Sequence, residues 1–556
     1  MNKELKSRIE KLSVRLFNIK TRAEVFRSDE QFGDFSTNVG LKLAREIGRD
    51  PREIAQAIAE ELNKSSEFRE VTVAGPGFVN ITLKDPVLFD SSMSAHKLEK
   101  TYLGQEIVTE YSDPNPFKVL HAGHFYTSVV GDSISNLLEA AGANVHRVNY
   151  GGDVGLHAAK TMWAMLQDLG GENPESLETI DNDKRADWLA DCYVKGTAAY
   201  GDDEKAKSEI NELNKKIYTL VNNKDKDSPL AKIYWTARGW SYDYFDAFYE
   251  RAGIKFEKYY PESEVARLGL NTVKQNTPKI YSDSDGAIVY EGEKEGLHTR
   301  VFITREGLPT YEAKEVGLIL TKNQDYKFDR SVVITANEIS QYMQVVLNSI
   351  AKFAPDLVDK TTHLTHGMVK LPGARKMSSR KGNILKAVDI LDLAEASSKK
   401  INPSTTPDVV LGAIKYSFLK SGLGGDIVFD ANESVSIEGN SGPYLQYALV
   451  RARSILQKAG YSKTPPDVGE LNPAERSLAR KITIYPEVFV TALEELSLHH
   501  ICTYLYELAQ TFNRFYESNR VIGDQRSALR ISLVKSYANV LESGLNILGI
   551  SAPEKM

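Results

Sequence analysis

A strand–loop–helix–strand pattern early in this 556-residue chain constrains its fold more than any other feature. Residues 107–111 alternate as in a strand, prolines interrupt the next loop, residues 129–141 have helical periodicity, and residues 145–150 are extended again. Such a unit implies a parallel sheet. In open sheets of this type, ligands bind where the carboxyl end of a strand leads into a helix N-terminus. The loop at 113–124 is therefore the first candidate site.

Length and patterning predict three domains. A chain of 556 residues exceeds what one hydrophobic core can organise, because domains usually hold roughly 100 to 200 residues. We expect a small α+β domain at 1–95, an α/β domain with a Rossmann-type parallel sheet at 104–400, and an all-helical domain at 401–556. Charge-rich helical sequence at about 170–260 indicates an insertion in the α/β domain.

Shorter patterns predict individual elements of these domains. Runs of apolar and β-branched residues indicate strands at 71–73 and 78–81 in the first domain. Similar runs at 301–303 and 332–334 are expected to complete the parallel sheet. The stretch at 85–100, which begins with an Asp-Pro pair, is interpreted as a linker between the first two domains.

Composition excludes several classes of protein. The chain is 42% hydrophobic and 26% charged, with a net charge of −6, which is typical of ordered globular proteins. No apolar run approaches the roughly 18 to 20 residues that span a bilayer, and the charged N-terminus is unlike a signal peptide. Cys192 and Cys502 are far apart and predict neither a disulfide framework nor a zinc site. We therefore expect a cytoplasmic protein without membrane contact.

A four-residue motif, His121-Ala122-Gly123-His124, lies in the candidate loop directly before the predicted helix. Two imidazoles three positions apart on a first helical turn can both face a phosphate, and the helix N-terminus adds N–H donors. Gly123 leaves room for a flat ring to lie against the backbone. Taken alone, the motif fits two ordinary core or surface histidines equally well.

A second motif, Lys376-Met377-Ser378-Ser379, lies in a basic loop that contains no acid from residue 370 to residue 381. Its many donors suit a loop that closes over a triphosphate, although such a run alone is as often a solvated loop. The two motifs occur in this order, about 250 residues apart, with a strand–helix–strand unit under the first. Their combination makes a nucleotide site the better interpretation.

The pair of motifs resembles the HIGH and KMSKS signatures of class I aminoacyl-tRNA synthetases. The resemblance implies a nucleotide-binding parallel sheet split by an insertion, in which the amino-acid carboxylate attacks the α-phosphorus of ATP. Magnesium would sit mainly on ATP oxygens and water, so no metal site of the protein is expected. The residues implied in ATP binding by the two motifs are His121, Gly123, His124, Lys376, Met377, Ser378 and Ser379.

One departure from these signatures narrows the resemblance. Ser379 stands where the KMSKS consensus has its second lysine, which removes a cation that faces phosphate. Arginyl-tRNA synthetases commonly lack that lysine and carry one three residues before the first histidine, which here is Lys118. Lys118 is thus a candidate catalytic cation beside His121. Arg380 or Lys381 could also occupy the gap.

Two further segments resemble the amino-acid pocket of arginyl-tRNA synthetases. The run from Glu110 to Asn115 is similar to the family's E-[FY]-S-x-P-N, which implies that the acid and the asparagine contact substrate arginine. A guanidinium requires planar acceptors, which a carboxylate supplies, although Glu110 alone could be an ordinary strand-end acid. The segment at 307–315 is similar to G-x-x-x-Y-x-x-[KR]-D and implies roles for Tyr311 and Glu315. Glu315 replaces the family's aspartate and is one methylene longer.

The run from Asn149 to Gly155 matches the family's N-Y-x-G-D-x-G loop, which lies beside the adenylate. The resemblance implies that Gly152 and Asp153 contact ATP. The alternative is a plain turn whose glycines provide positive φ angles.

Two other regions resemble parts of the family that bind tRNA. The run at 74–80 resembles the domain placed against the tRNA elbow, which implies that Phe78 stacks on a base and Asn80 hydrogen-bonds its edge. The run at 439–448 resembles the start of the helical anticodon-binding domain, in which Tyr444 and Tyr447 are candidates for stacking on bases. For each aromatic residue, a place in a hydrophobic core is the alternative.

The resemblance implies one reaction, in which L-arginine is activated by ATP and transferred to tRNA(Arg), with release of AMP and pyrophosphate. The expected partners are ATP, L-arginine and tRNA(Arg), and the chain is expected to act as a monomer. A class I synthetase for another amino acid is the first alternative, and Glu110, Asn115 and Lys118 argue against it. A silent relative that only binds tRNA is the second, and the intact motifs argue against that.

Overall fold

The computed structural model describes residues 1–373, 385–460 and 466–556. The second motif, Lys376-Met377-Ser378-Ser379, lies outside the described residues. Within them, no helix is both long and apolar enough to cross a membrane.

A four-stranded antiparallel sheet with helices packed on one face forms the N-terminal part of the chain, in the strand order β1-β2-β4-β3. Strand β4 alternates between buried and half-buried residues, so one face of the sheet packs against the helices and the other remains open. The elements are α1 (Asn2–Phe17), β1 (Val25–Phe26), β2 (Phe35–Thr37), α2 (Val39–Ile47), α3 (Pro51–Asn63), β3 (Phe68–Ala74) and β4 (Phe78–Leu83).

The segment predicted as a linker at 85–100 is instead largely a helix, α4 (Asp85–Ser94). Pro86 stands in its first turn, where a missing N–H costs nothing and the fixed φ angle suits a helix. Leu88 and Phe89 are buried. The linker interpretation was wrong because an Asp-Pro pair starts a helix as readily as it makes a turn.

A five-stranded parallel sheet forms the centre of the molecule, in the order β12-β11-β5-β6-β7, as the fold prediction requires. Strands β5 and β6 lie side by side, and both run toward the candidate loop. The elements of this part of the chain, including strands outside the parallel sheet, are β5 (Glu106–Glu110), α5 (Ala122–Ala140), β6 (Asn144–Gly151), α6 (Leu156–Asp168), α7 (Arg185–Asp202), α8 (Glu204–Asn222), α9 (Pro229–Ala252), β7 (Lys258–Pro261), α10 (Glu262–Gln275), β8 (Ser282–Ser284), β9 (Ala287–Tyr290), β10 (Arg300–Ile303), α11 (Tyr311–Tyr326), β11 (Arg330–Ala336), α12 (Ser340–Ala351), α13 (Pro355–Asp359), β12 (Thr361–His366), β13 (Val369–Lys370) and α14 (Ala387–Ile401).

Helices α7, α8 and α9 lie between α6 and β7 and pack around a hydrophobic cluster of their own, together with α6. Cys192, Ile210 and Tyr234 are fully or nearly fully buried in this cluster. The strand expected at 301–303 exists as β10, but it does not complete the parallel sheet. It pairs antiparallel with β9 in a separate three-stranded sheet, because the short intervening loop allows local pairing. The prediction for 332–334 is confirmed, since β11 lies in the parallel sheet.

Helices make up nearly all of the C-terminal part, as predicted, apart from a two-residue strand that pairs with β13. The elements are α15 (Pro407–Leu419), β14 (Ile427–Val428), α16 (Ala431–Ser434), α17 (Gly442–Ala459), α18 (Pro473–Ile482), α19 (Tyr485–Glu495), α20 (His499–Ser518) and α21 (Ser527–Ile547).

The N-terminal sheet domain is docked on the C-terminal helices by buried ion pairs. The guanidinium of Arg476, on α18, contacts both Asp34 and Asp85, and the distance to Asp34 is 2.6 Å. Arg27 donates hydrogen bonds to both carboxylate oxygens of Glu487 at 3.1 Å. The first and last parts of the chain are therefore held against each other.

Candidate active site

The first motif caps helix α5 with its own side chains. His121 occupies the N-cap position, and its Nδ1 accepts a hydrogen bond from the backbone N–H of His124 at 3.3 Å. In return, Nδ1 of His124 accepts from the backbone N–H of His121 at 3.1 Å. The two imidazole rings stack with centroids 3.6 Å apart. Each histidine thus satisfies a free N–H of the helix start and holds the other in place.

These hydrogen bonds also determine the chemical form of both rings. Burial, with the nearby charge of Lys118, lowers the pKa of His121 to about 4, and burial lowers that of His124 well below its ordinary value. Both imidazoles are therefore neutral at pH 7. Because each Nδ1 accepts a hydrogen bond, the single proton of each ring is on Nε2. The motif supplies two oriented N–H donors and no charge.

Gly123 is required by the ring of His121. A Cβ atom at Gly123 would lie 2.9 Å from both Cε1 and Nδ1 of His121, closer than side-chain atoms pack. The flat ring that lies against Gly123 is thus the imidazole of His121, from the same motif.

A cavity of about 450 Å³ opens in front of the two histidines. Its wall includes Lys118 and Asn115 from the β5–α5 loop and Tyr193 from α7 of the insertion. The Nζ atom of Lys118 lies 4.3 Å from the centre of the Tyr193 ring. The cavity therefore combines two neutral donors, a lysine and an aromatic ring.

Residues 385–387 lie beside the first motif. The backbone N–H of Ala122 donates to the carbonyl of Leu385 at 2.8 Å, and that of Ala387 donates to Leu120 at 2.9 Å. Lys386, between them, lines the cavity and forms an ion pair with Asp187 at 2.6 Å. Leu385 and Ala387 are thus hydrogen-bonded to the chain at the start of α5.

The glycine loop after β6 contributes its backbone. A Cβ atom at Gly152 would lie 2.6 Å from Oδ1 of Asn115, which accepts a hydrogen bond from the Gly152 N–H at 2.8 Å. Asp153 is fully buried, and its carboxylate is bound by Arg238 at 2.9 Å and by the N–H and hydroxyl of Ser263. This carboxylate fixes the loop to the insertion and to α10 and does not line the cavity.

The residues implied in arginine binding are connected through hydrogen bonds. The carbonyl of Gly152, next to Asn115, accepts from Nε2 of His157 at 2.5 Å. On its other side, Nδ1 of His157 lies 3.4 Å from the hydroxyl of Tyr311. The ring of Tyr311 is half exposed at 51%, so it stands at the surface of this network.

Carboxyl groups are concentrated at the end of β5. Glu110 is buried and paired with the equally buried Lys322. Oε1 of buried Glu315 has no hydrogen-bond partner among the described residues, and its Oε2 lies 3.5 Å from the hydroxyl of Tyr342. Asp113, in the following loop, accepts a hydrogen bond from the N–H of Tyr150 at 3.0 Å. The arrangement has more acids than cations.

The excess of acids changes their ionisation. Burial, with the negative charge of Glu110 as the next cause, raises the pKa of Glu315 to about 8. The same two causes raise the pKa of Asp113 well above its usual value. A pocket of this kind is suited to a cationic ligand rich in N–H donors.

Sequence reasoning missed several members of this site. Asp113 stood at the variable position of its motif, and Lys322 is eleven residues beyond Tyr311 on helix α11 without any motif of its own. Since residues on the same helix face recur every three to four positions, Glu315 and Lys322 share a face, and this spacing was the available signal. His157 and Tyr342 gave none.

The residues implied in tRNA binding lie in two places. Phe78 and Asn80 are half-buried neighbours on the open face of strand β4. The ring of Phe26, which is 41% exposed, lies edge-on to Phe78 with centroids 6.4 Å apart, and Asn80 accepts from the hydroxyl of Ser36 at 2.5 Å. Phe78 is thus not part of the core between the sheet and the helices.

On helix α17 the two tyrosines differ. Tyr444 is half-buried, packs edge-on against Tyr506, and accepts a hydrogen bond from Asn513 at 2.9 Å. Tyr447 is 44% exposed. The structure therefore gives Tyr444 a packing role within the helical domain and leaves Tyr447 accessible.

The parallel sheet and the paired histidines at the first helix of the strand–helix–strand unit define a class I aminoacyl-tRNA synthetase. A family model described as "tRNA synthetases class I (R), catalytic domain" matches residues 89–421, more than half of the chain. Models described as "Arginyl tRNA synthetase N terminal domain" and "DALR anticodon binding domain" match residues 1–83 and 445–556. The chain belongs to the arginyl-tRNA synthetase family.

Individual relatives agree along the whole length. The arginine–tRNA ligase of Cutibacterium acnes is 30% identical to this chain, and the match covers 95% of each. That of Flavobacterium psychrophilum is 28% identical over 90% of this chain and 87% of its own. The arginyl-tRNA synthetase of Thermus thermophilus has a similar structure, with a TM-score of 0.81, 25% identity and 100% of each chain covered.

The activity of the chain is therefore that of an arginine–tRNA ligase, which uses ATP to join L-arginine to tRNA. The match to the arginyl-tRNA synthetase family, and not the geometry of the site, argues against a synthetase for another amino acid.

Proposed function

We propose that the cavity before α5 binds ATP and that the two histidines donate hydrogen bonds from Nε2 to its phosphate oxygens. The observation that carries this proposal is the reciprocal capping of His121 and His124, which fixes both rings as neutral donors. Donors oriented in advance stabilise charge that develops during a reaction without reorganising. The backbone of Gly152, which donates a hydrogen bond to Asn115 of the cavity wall, is proposed to lie beside the nucleotide.

Because the imidazoles are neutral, positive charge at the phosphates must come from elsewhere. We assign this role to Lys118, whose Nζ atom is held over Tyr193 at the cavity wall. Lys376, with Met377, Ser378 and Ser379, is proposed to complete the phosphate site from the second motif. The hydrogen bonds of Leu385 and Ala387 support this proposal, because they hold these two residues, a few positions after the second motif, at the start of α5.

The acidic group at the end of β5 is proposed as the guanidinium pocket. Glu315 offers a buried oxygen without a donor, and Glu110 is held beside it by Lys322. Asn115 and Tyr311, at the two ends of the network through His157, are proposed to contact the rest of the amino acid. Glu315 takes the place of the aspartate expected in the motif.

In this arrangement, the carboxylate of arginine attacks the α-phosphorus of ATP, forming arginyl-adenylate as the bond to pyrophosphate breaks. The 2′-hydroxyl of the terminal tRNA ribose then attacks the carbonyl carbon, and AMP leaves. The chain positions the two substrates and supplies donors to the phosphates, which is the main requirement of phosphoryl-group chemistry.

Magnesium is proposed to arrive with ATP, bound by phosphate oxygens and water, where it would offset phosphate charge. The cavity wall also carries Asp187 and Asp191, of which Asp187 is paired with Lys386. The nitrogen groups of Lys118, His121 and His124 are suited to phosphate.

For tRNA, we propose that Phe78 and Asn80 contact the elbow and that Tyr447 stacks on a base of the anticodon loop, with Tyr444 supporting it. The proposed domain limits remain 1–95, 104–400 and 401–556. We also propose that the enzyme acts as a monomer in the cytoplasm, where charged tRNA is consumed.

The ATP site is tested by His124→Ala, assayed by arginine-dependent exchange of pyrophosphate into ATP, under the same tRNA conditions for every variant. Loss of one oriented donor is expected to lower the exchange rate by roughly 10²-fold or more, while tRNA affinity stays unchanged. His298→Ala is the control, because this histidine is exposed. Unaltered exchange and aminoacylation by His124→Ala would refute the assignment.

A further inference from the structure

The proposed arginine pocket contains three carboxyl groups, and within the part of the chain that the structure describes a single lysine, Lys322, contacts them. Glu110 and Lys322 neutralise each other in a buried pair. Asp113 and Glu315 form no ion pair with any lysine, arginine or histidine of the described residues. In addition, Oε1 of Glu315 is buried without any described hydrogen-bond donor. An acceptor and two uncompensated acids therefore remain when the pocket is empty.

We propose that the buried carboxyl of Glu315 holds a proton in the empty pocket, and that the guanidinium of arginine displaces this proton when it binds. The proposal rests on the arginine pocket proposed above. The geometric basis is the buried Oε1 of Glu315, which has no hydrogen-bond partner among the described residues.

The physical reason is that buried like charges cannot all ionise. Burial disfavours each carboxylate, and the fixed charge of Glu110 disfavours both of its neighbours. In agreement, the pKa of Glu315 is raised to about 8 and that of Asp113 is also raised. A guanidinium remains charged throughout the neutral pH range, and its charge favours the ionised form of the acids. Binding of arginine thus favours loss of the proton from Glu315.

Other groups around Glu315 do not remove this imbalance. Glu262, on the neighbouring α10, is paired with Lys314, so the two cancel. The hydroxyls of Tyr150 and Tyr342 face the same acids, and their pKa values are raised by burial, so they stay protonated. Among the described residues, Lys322 is thus the cation that offsets the negative charge of these carboxyl groups.

The exchange balances in charge and in protons. A neutral carboxyl becomes a carboxylate, its proton passes to solvent buffer, and the guanidinium brings one positive charge. The net charge of the pocket is the same before and after binding. Arginine therefore enters without adding an uncompensated charge to the interior.

Titration calorimetry of the full-length enzyme with L-arginine tests the proposal. The binding enthalpy is measured at pH 7 in phosphate and in Tris, whose ionisation enthalpies differ strongly, with tRNA present in both or absent from both. The dependence of the enthalpy on the buffer gives the number of protons released, and we expect about one. Release of no proton by the wild-type enzyme would overturn the proposal of a proton on Glu315.

Two variants locate the proton. Glu315→Gln removes the carboxyl that holds the proton, and release is expected to fall close to zero. Asp132→Asn is the matched control, because Asp132 is another buried carboxyl with a raised pKa, on α5 beside Arg147. It should release the same number of protons as the wild type. Release that persists in Glu315→Gln would contradict the proposal.

The same titrations separate this inference from the pocket itself. If Glu315→Gln binds arginine as tightly as the wild type, the proposed pocket is wrong. If it binds at least roughly tenfold more weakly while the wild-type enzyme releases no proton, the pocket stands and the proposal of a proton on Glu315 fails. Circular dichroism of each variant, compared with the Asp132→Asn control, verifies that the binding change is not a loss of fold.

Discussion

Lys322 and Glu110 form an ion pair inside the protein, with side chains that are 0% and 2% exposed. Helix α11 supplies the lysine and strand β5 the acid, so the pair joins two elements of the parallel-sheet domain next to the arginine pocket. It fixes the position of Glu110 and determines how much negative charge the pocket retains.

Replacing Lys322 with methionine is expected to lower stability and arginine affinity together. Glu110 would be left as a buried charge without a partner, which typically costs roughly 3 to 5 kcal/mol. The thermal unfolding midpoint should fall clearly in Lys322→Met, and little in Lys399→Met, whose pair with Glu395 is exposed. Adding Glu110→Gln should restore much of the midpoint but not aminoacylation. An unchanged midpoint in Lys322→Met would contradict this account.

Gly123→Ala tests the packing of the first motif. The new methyl would lie 2.9 Å from the His121 ring and must displace it from its stack with His124. We expect pyrophosphate exchange to fall by about 10-fold to 100-fold, because a small misplacement of catalytic groups is costly. Gly239→Ala is the control, since nothing lies within 4 Å of its added carbon in helix α9. Equal activity of the two variants would argue against the stacked pair.

The pKa of Glu315 predicts how the KM for arginine depends on pH. Below about pH 8 the carboxyl is protonated in the free enzyme and must lose its proton before arginine binds. The KM should therefore fall as pH rises from 6 to 8, by at most about tenfold per unit, and then level off. Aminoacylation kinetics at saturating ATP and tRNA measure this. The profile of Glu315→Gln should be flatter, and a wild-type KM that rises over this range would contradict the prediction.

Tyr447 and Tyr444 should respond differently to substitution. Tyr447→Ala is expected to raise the KM for tRNA about 5-fold to 100-fold, the effect of losing one base stack, with little change in unfolding temperature. Tyr444→Ala should lower the unfolding temperature as well, because its ring packs on Tyr506 and its hydroxyl accepts from Asn513. A pure stability effect in Tyr447→Ala would remove it from the tRNA surface.

The sequence was sufficient to predict those elements of the fold that depend only on residues close to them in the chain. The alternation at 107–111 and the motif from His121 to His124 predicted β5 and the start of α5, because both depend on neighbours in the chain. The strand at 301–303 was recognised, but not its sheet, since its nearby partner β9 was not predicted from the sequence.

The site shows the same division. Glu110 and Glu315 were found through motifs, while the lysine that pairs with Glu110 was not, because a single lysine on a helix has no sequence signature. The neutral state of His121 and His124 was also beyond the sequence. It follows from burial and from hydrogen bonds to backbone groups, which only the folded chain defines.

The docking of Arg476 on Asp34 and Asp85 has a consequence for how a long substrate is recognised. It places Phe78 and Tyr447, the proposed contacts to two distant parts of tRNA, on one connected body. The span between them is then set by packed protein and not by a flexible linker. The distance between the two proposed contact sites is then fixed by the fold. An RNA with the right bases but a different length or shape would contact only one of the two sites.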